Sequence, residues 1–396
     1  MKKTLLLSVV ASTMIMAGGD IAPVEPVVEA PVMVEEASAW TFGGQAVAYT
    51  QTTDNYGDGS LFDDESTYAA WGGQLRATNS DIFAGIGAGI EVSGIVSDEG
   101  DLPGFYPGGG NAGTTSGGFT QAYLTYGMDS INTSIKLGRQ TLPKSLSPFA
   151  YSEGWQMFKN TFDAALVVNS SLPDTTLVYA FVKNANSSVN NYADEDSFGK
   201  VNGSDGAHMF TAMNKSIEGI TLTGTYYNLP DAADILWGDI KTKFGGLSIA
   251  GQGGQIDPDG GDAGTAWGAK LGYDFGMFDA SVAYSSVSDD GVQFSNLTGI
   301  KSPLYTQMVL NNVGQFHAAP DSDFLKVAAS AKALGGKFTL GYGDAESQGT
   351  DFTEIDVMYK TKLTENTTLF AAYVYTDIDT AIDSTNFVRF WARYNF

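Results

Sequence analysis

From Trp40 to Phe396 the chain is a succession of short segments in which every second residue is apolar. Side chains on a strand point alternately to opposite faces, so such a set marks one wall of a sheet. Trp71, Leu75 and Ala77 form one set, and Ala84, Ile86, Ala88, Ile90 and Val92 form the next, across a turn expected at Asn79-Ser80-Asp81. The alternation returns at Ile131, Ile135 and Leu137, at Phe162, Ala164, Leu166 and Val168, and at Trp267, Ala269, Leu271, Tyr273 and Phe275. It continues at Phe278, Ala280, Val282 and Tyr284, then at Phe338, Leu340 and Tyr342. Each set is read as an outward wall.

Two kinds of connection separate these segments. Gly245-Gly246, Gly276-Met277 and Leu334-Gly335-Gly336 carry hairpin chemistry, whereas 97 to 117, 142 to 160, 185 to 205 and 289 to 322 are long and rich in Asp, Gly, Ser and Asn. Short turns at one end and long loops at the other describe a membrane-spanning barrel. The fold class expected is therefore all-β, a transmembrane antiparallel β-barrel of about 18 strands, with 16 as the alternative count. At that strand number the interior is too wide for side chains to fill and becomes an aqueous channel.

The N-terminus changes the picture of where the chain goes. Met1-Lys2-Lys3, an apolar run from Leu5 to Ala17 and a small-residue step at Ala17-Gly18-Gly19 read as a secretory signal peptide over 1–19. Residues 20–37 combine Val, Pro and Glu without periodicity and read as a periplasmic leader, leaving 38–396 for the barrel. Composition agrees: 48 Gly, 23 Phe and 19 Tyr accompany a hydrophobic fraction of only 43%. A mean hydropathy of -0.07 is the average expected when one face of each strand meets lipid and the other water. With no Cys, the chain has neither a lipid-modified cysteine nor a disulfide scaffold.

The last segment places Val388, Phe390, Ala392, Tyr394 and Phe396 on one face and Arg389, Trp391 and Arg393 on the other. A terminal aromatic closing an amphipathic strand is similar to the signal that the barrel assembly machinery reads, with Tyr394 and Phe396 as its residues. Together with the signal peptide, the leader and Lys136-Leu137-Gly138-Arg139-Gln140 before a long third loop, the final FWARYNF resembles the epsilonproteobacterial major outer-membrane porin (Opr-type) family. The resemblance implies a trimeric barrel in the bacterial outer membrane, in contact with lipid and lipopolysaccharide. It further implies an inward-folded constriction loop and a preference for cations.

Opposite the apolar sets, phase puts Arg76, Lys136, Lys241, Lys243, Lys270, Lys326, Arg389 and Arg393 toward the lumen, with Glu91, Asp163, Asp239 and Asp274 available to pair with them. These are the candidate pore-lining charges, since a water-filled lumen tolerates charge and uses it to select solutes. Arg139 falls on the outward face with Leu137, where it sits at the rim or under a neighbouring subunit. Loop 142 to 160 carries Phe149, Tyr151, Trp155, Met157 and Phe158, which favour burial. Folding into the barrel would pack them on the wall while Glu153 projects into the opening. Contact of the loop with lipid or a partner is the alternative.

Charge excludes one function class and leaves others open. A formal net charge of -24, from 45 acidic and 21 basic residues, is unsuited to nucleic acid, which needs cations against phosphate. It suits a weakly cation-selective porin for passive diffusion of ions and small hydrophilic solutes. A substrate-specific channel with an ordered basic ladder and an adhesive or structural barrel are the competing readings. Asp257, Asp259 and Asp262 surround a glycine turn where Ca²⁺ could bind, although the pattern is incomplete and a solvated acidic turn explains it better. No cofactor is required. The only histidines, His208 and His317, lack metal-ligand spacing and a nucleophile motif, so no enzymatic activity is expected.

Overall fold

The computed structural model describes residues 40–54, 60–63, 66–97, 115–186, 198–203, 205–297, 301–310, 318–379 and 384–396. The signal peptide, the leader, His317, the acidic run Asp194, Glu195 and Asp196, and most of loops 97 to 117 and 185 to 205 lie outside them.

Strands come in chain order as β1 (Thr41–Thr53), β2 (Thr67–Phe83), β3 (Ile86–Ser97), β4 (Thr115–Met128), β5 (Thr133–Gln140), β6 (Phe162–Asn169), β7 (Thr175–Ala185), β8 (Gly199–Lys200), β9 (Ala207–Asn214) and β10 (Ile220–Leu229). They continue as β11 (Ala233–Phe244), β12 (Leu247–Pro258), β13 (Gly264–Asp274), β14 (Phe278–Val287), β15 (Ser322–Ala333), β16 (Gly336–Ser347), β17 (Thr350–Lys362), β18 (Thr367–Ile378) and β19 (Thr385–Asn395). Apart from the two-residue β8, which pairs only with the end of β7, each strand pairs antiparallel with its sequence neighbours, β7 pairing directly with β9. β1 pairs with β19 from Gln45↔Asn395 to Thr53↔Phe387, so 18 strands close on themselves. No helix among the described residues is long and apolar enough to cross a membrane.

Local chemistry sets the narrow end. Leu334 (φ 53°) and Gly335 (φ 77°) both take the left-handed conformation that a two-residue hairpin turn requires, as do Ala84 (φ 51°) and Gly85 (φ 81°). The β2–β3 hairpin therefore turns at Ala84-Gly85, not at Asn79-Ser80-Asp81. Those three residues stay within β2, where the register with β3 shifts between Asn79 and Phe83. Asn79 Oδ1 accepts from Asp81 N (2.9 Å) and Asp81 Oδ1 accepts from Gly85 N (3.0 Å), so the polar triplet feeds the turn without being it. Both chain ends of the barrel lie on this short-turn side, which is periplasmic in outer-membrane barrels.

The outward face is apolar along most of the wall: Trp71, Leu75, Trp267, Leu271, Leu340 and Phe390 are all exposed. Rings gather at its periplasmic edge, where Phe275 stacks on Phe278 (4.6 Å) and Tyr394 on Phe396 (6.1 Å). Such a band suits an aromatic girdle at the lipid interface. β6 departs from the expected phase. Phe162 and Ala164 are buried in the interior, with Leu166 and Val168 packed against the same cluster, so the set read as outward faces inward. The outward face of β6, Ala165 and Val167, is apolar as well, and alternation alone cannot orient a strand with two apolar faces.

The seam is closed to the last residue. Gly44 N donates to Phe396 O (2.9 Å) and Phe396 N donates to Gly44 O (3.1 Å). Deleting Phe396 removes both bonds and leaves Gly44 unpaired at the lipid edge, where each orphaned group costs several kcal/mol. We expect a lower yield of folded, heat-modifiable barrel in outer membranes, read by gel shift, with normal yields counting against a role for this residue in closure.

Candidate functional site

The upper half of the interior is occupied by the chain's own loops. Within 142–160, Leu142, Phe149, Ala150, Tyr151, Trp155, Met157 and Phe158 are buried. Phe149 meets Trp237 (5.3 Å) and Tyr227 (5.8 Å) edge to face, and its N–H donates to the Tyr227 hydroxyl (3.0 Å). Trp155, Met157 and Phe158 lie against Val47, Tyr49, Phe370 and Trp391 on the strands around the seam. Bare backbone makes room for them: a Cβ on Gly72 would collide with Met157 and Phe158.

A second segment, 301–310, folds inward from the long connection after β14. Leu304, Met308, Val309 and Leu310 are buried, and Met308 rests on Gly341 and Gly343. Val309 N donates to Asp356 Oδ2 (3.2 Å) and Leu310 N to Glu354 Oε1 (2.7 Å). The two segments also hold each other. Asn296 Nδ2 donates to Tyr151 O (2.8 Å) and to Glu153 Oε1 (2.9 Å), Lys301 N donates to the same carboxylate oxygen (3.1 Å), and Lys144 Nζ donates to Ser302 O (3.1 Å).

Several expected pore-lining residues prove to be anchors. Arg389 is 0% exposed: Nη1 donates to Trp155 O (2.7 Å), Nη2 donates to Gln51 Oε1 (2.6 Å), and the Trp155 ring lies 4.2 Å from its guanidinium carbon. Arg393 Nη2 donates to Met157 O (2.8 Å) and Nη1 to Gln45. Buried Lys326 donates to Gln307 O. Glu153, expected to project into the opening, is 3% exposed beneath the second segment. A loop that folds inward must satisfy its carbonyls and N–H groups there, and the inward charges supply the partners.

Asp163 is a correction of another kind. With β6 inverted it lies on the outward face beside Arg139, whose Nε donates to Oδ1 at 2.8 Å. Arg139 Nη1 also donates to Phe119 O (2.8 Å), and the Phe198 ring covers the guanidinium at 3.4 Å. The outward Arg is thus neutralised within its own wall. Its strand carries Gly138 at φ 119°, a conformation that favours glycine.

The remaining predicted pore-lining charges are on the inward face. Arg76 pairs with Glu91 (Nε to Oε2, 2.9 Å), and Glu91 Oε1 also accepts from Thr120 (2.9 Å). The Arg76 side chain keeps 52% of its surface exposed. Lys136 stands over the Tyr123 ring (3.7 Å). Lys241 pairs with Asp239 (2.9 Å), which also accepts from the Tyr305 hydroxyl. Burial, and then the Asp239 carboxylate, push the Tyr305 phenol up, so it stays a proton donor. Lys270 is half-buried, Lys243 is exposed, and Asp274 accepts from Gly276 N (2.8 Å) at a periplasmic turn. Asp257, Asp259 and Asp262 are exposed, and no three acidic or histidine side chains among the described residues converge as a metal site. His208 lies on the outward face, its Nδ1 3.0 Å from the Tyr179 hydroxyl, away from the interior.

A row of inward lysines was not among the residues expected to line the pore. Lys332 on β15 lies directly opposite Lys337 on β16, and Lys337 opposite Lys360 on β17, all in the periplasmic half of the interior and in phase with buried inward residues. Lys362 follows one inward step below. The phase of Phe338 and Leu340 already fixed Lys337 as inward. Segment 301–310, with its apolar run Met308-Val309-Leu310, carried the same signal that marked loop 142 to 160.

Solved structures share this architecture. OccK9 (OpdG) of Pseudomonas aeruginosa superposes with a TM-score of 0.73 at 14% identity, covering 90% of this chain and 98% of that one. OpdK of Pseudomonas aeruginosa, solved with vanillate, gives 0.72 at 14% identity over 90% and 98%. A BenF-like porin from Pseudomonas fluorescens Pf-5 gives 0.71 at 10% identity over the same shares. No family model and no curated protein sequence matches the chain. At these identities the likeness is one of fold, that of a bacterial outer-membrane porin barrel.

Arg389→Met would take two charge-assisted hydrogen bonds from the docked loop and wall, each worth about 1.5–3 kcal/mol. The expected result is a higher single-channel conductance from a barrel that still shows normal heat modifiability. Unchanged conductance would mean that the loop is held without this anchor.

Proposed function

We propose that the chain is an outer-membrane channel selective for small anionic solutes, carboxylates among them. One observation carries this reading: Lys332, Lys337 and Lys360 stand side by side on the inward face. Three ammonium groups side by side on the inward face set a positive local field, which attracts an anion and repels a cation that enters the interior. Loops 142–160 and 301–310 narrow the upper interior, and the cationic row lies below them. The similar OpdK structure contains vanillate, an aromatic carboxylate, which agrees in charge with what this row would attract.

The cation preference expected from the total charge is the competing reading. Part of that acid stands away from the interior: Asp323, Glu346 and Asp351 are adjacent on the outward face near the extracellular rim. At 0.15 M salt the Debye length is about 8 Å, so charge on the outer wall and on loop tips acts weakly on an ion inside. An adhesive or structural barrel would need no inward cations. Kinship with the epsilonproteobacterial porins and trimeric assembly belong to the same proposal, resting on the terminal and loop motifs.

Reversal potentials in a KCl gradient across planar bilayers test the reading. Chloride is expected to permeate several-fold better than potassium at low salt, and Lys332→Gln, Lys337→Gln and Lys360→Gln together should abolish that preference without altering barrel yield. Cation preference in the unmodified protein, or anion preference untouched by the triple substitution, would overturn it.

A further inference from the structure

We infer that Lys332, Lys337 and Lys360 form a binding site for short di- and tricarboxylates at the periplasmic end of the channel. The inference rests on the anion-channel reading given above and names the solute class that this row distinguishes. Lys332 lies opposite Lys337, and Lys337 opposite Lys360, so three inward lysines follow one another at the spacing of neighbouring strands, about 4.8 Å. Arg76, Arg139 and Lys241 each pair with a carboxylate, whereas none of these three does among the described residues. The inward positions beside them are Ser330, Thr339, Met358 and Phe370, none of them acidic. Asp279, the inward acid on β14, lies opposite Ser330 and accepts from its hydroxyl at 2.7 Å.

The row is bounded at both ends. Next to Lys360 come Phe370 and then Trp391, both buried and stacked at 5.1 Å, which carry no charge. Beside Lys332 the chain turns at Leu334-Gly335, and a depression of about 430 Å³ opens there, lined by Lys332, Ala333, Gly335 and Gly336. That volume is of the size that holds a small solute. A single negative charge satisfies one ammonium and leaves its neighbours repelling each other. Two or three carboxylates on a short carbon chain, set apart by about the same spacing, neutralise adjacent lysines together without drawing them closer. At about 4 Å in water each added opposite-charge contact is worth roughly fivefold in affinity. A phosphate concentrates its charge on one centre and draws the ammonium groups together against their repulsion. Lysines one strand apart therefore sort anions by the number and the separation of their charges.

Block of the chloride current tests the inference, measured on the full barrel in planar bilayers at 0.1 M KCl and pH 8 with acetate, succinate, tricarballylate or phosphate added to one side. The half-blocking concentration is expected to fall about fivefold from acetate to succinate and again to tricarballylate, with phosphate weaker than succinate. Because loops 142–160 and 301–310 fill the interior above the row, block should be stronger from the periplasmic side. At 1 M KCl, where the Debye length is about 3 Å, the ranking should collapse. Lys332→Gln, which leaves Lys337 and Lys360 side by side, should bring tricarballylate to the level of succinate and spare succinate itself. Lys337→Gln removes the middle charge and should weaken block by both at least fivefold. Lys200→Gln, an equal change of net charge on an exposed residue away from the row, should change neither. Equal block by the mono-, di- and tricarboxylate, or a ranking untouched by Lys337→Gln, in a barrel that still prefers chloride would overturn the inference and leave the anion channel in place. Stronger block by phosphate than by succinate would overturn the assignment to carboxylates. A potassium preference in the unmodified barrel would overturn the channel reading itself.

Discussion

Every backbone N–H and C=O that faces lipid must be paired within the protein, because hydrocarbon offers no substitute partner. That constraint governs the whole of this molecule. It requires the ladder from β1 to β19 to close, and it extends to the last residue, where Phe396 exchanges both of its backbone bonds with Gly44. It also explains why Arg139 survives on the outward face: Asp163, the Phe119 carbonyl and the Phe198 ring surround its guanidinium.

Closure at 18 strands creates an interior that wall side chains alone cannot fill. The chain fills the upper part with two of its own loops, and the same hydrogen-bonding demand then applies inside. Inward loops bury carbonyls and N–H groups against the wall, so the wall must supply partners. Arg389 and Arg393 bind carbonyls of the first loop, and Lys326 binds one of the second, while Glu354 and Asp356 accept its N–H groups. Glycines at 72, 341 and 343 give the backbone the room for close approach. A charged residue facing inward is thus either an anchor or a lining group, and which one it is depends on whether a loop covers it.

The division of charge follows from the same geometry. Asp323, Glu346 and Asp351 stand together on the outer rim while Lys332, Lys337 and Lys360 stand together at the lower interior, so a chain with a formal charge of -24 still carries a basic row on its inward face. Net charge describes the outside of such a protein better than its inside. Screening over about 8 Å keeps the two regions electrostatically separate.

The sequence by itself determined the strand class, the closed barrel and most strand faces, and it marked loop 142 to 160 for burial without deciding between the barrel interior and lipid or a partner. Period-2 alternation, positive-φ turn residues and misplaced aromatics are local signals, and a single strand or loop carries each of them in full. Lys136, Arg76 and Glu91 were placed on the inward face by phase alone, and Lys337 was equally legible from the neighbouring Phe338 and Leu340. Tertiary structure decided the rest. β6 has apolar residues on both faces, and only the packing of Phe162 and Ala164 within the interior cluster gives it an orientation. Arg389 and Glu153 read as exposed charges until a loop distant in sequence covers them. The adjacency of Lys332, Lys337 and Lys360 depends on the register of three strands. Register and loop docking are set by contacts between residues far apart in the chain, and for that reason local pattern can say which way a side chain points but not what it meets there.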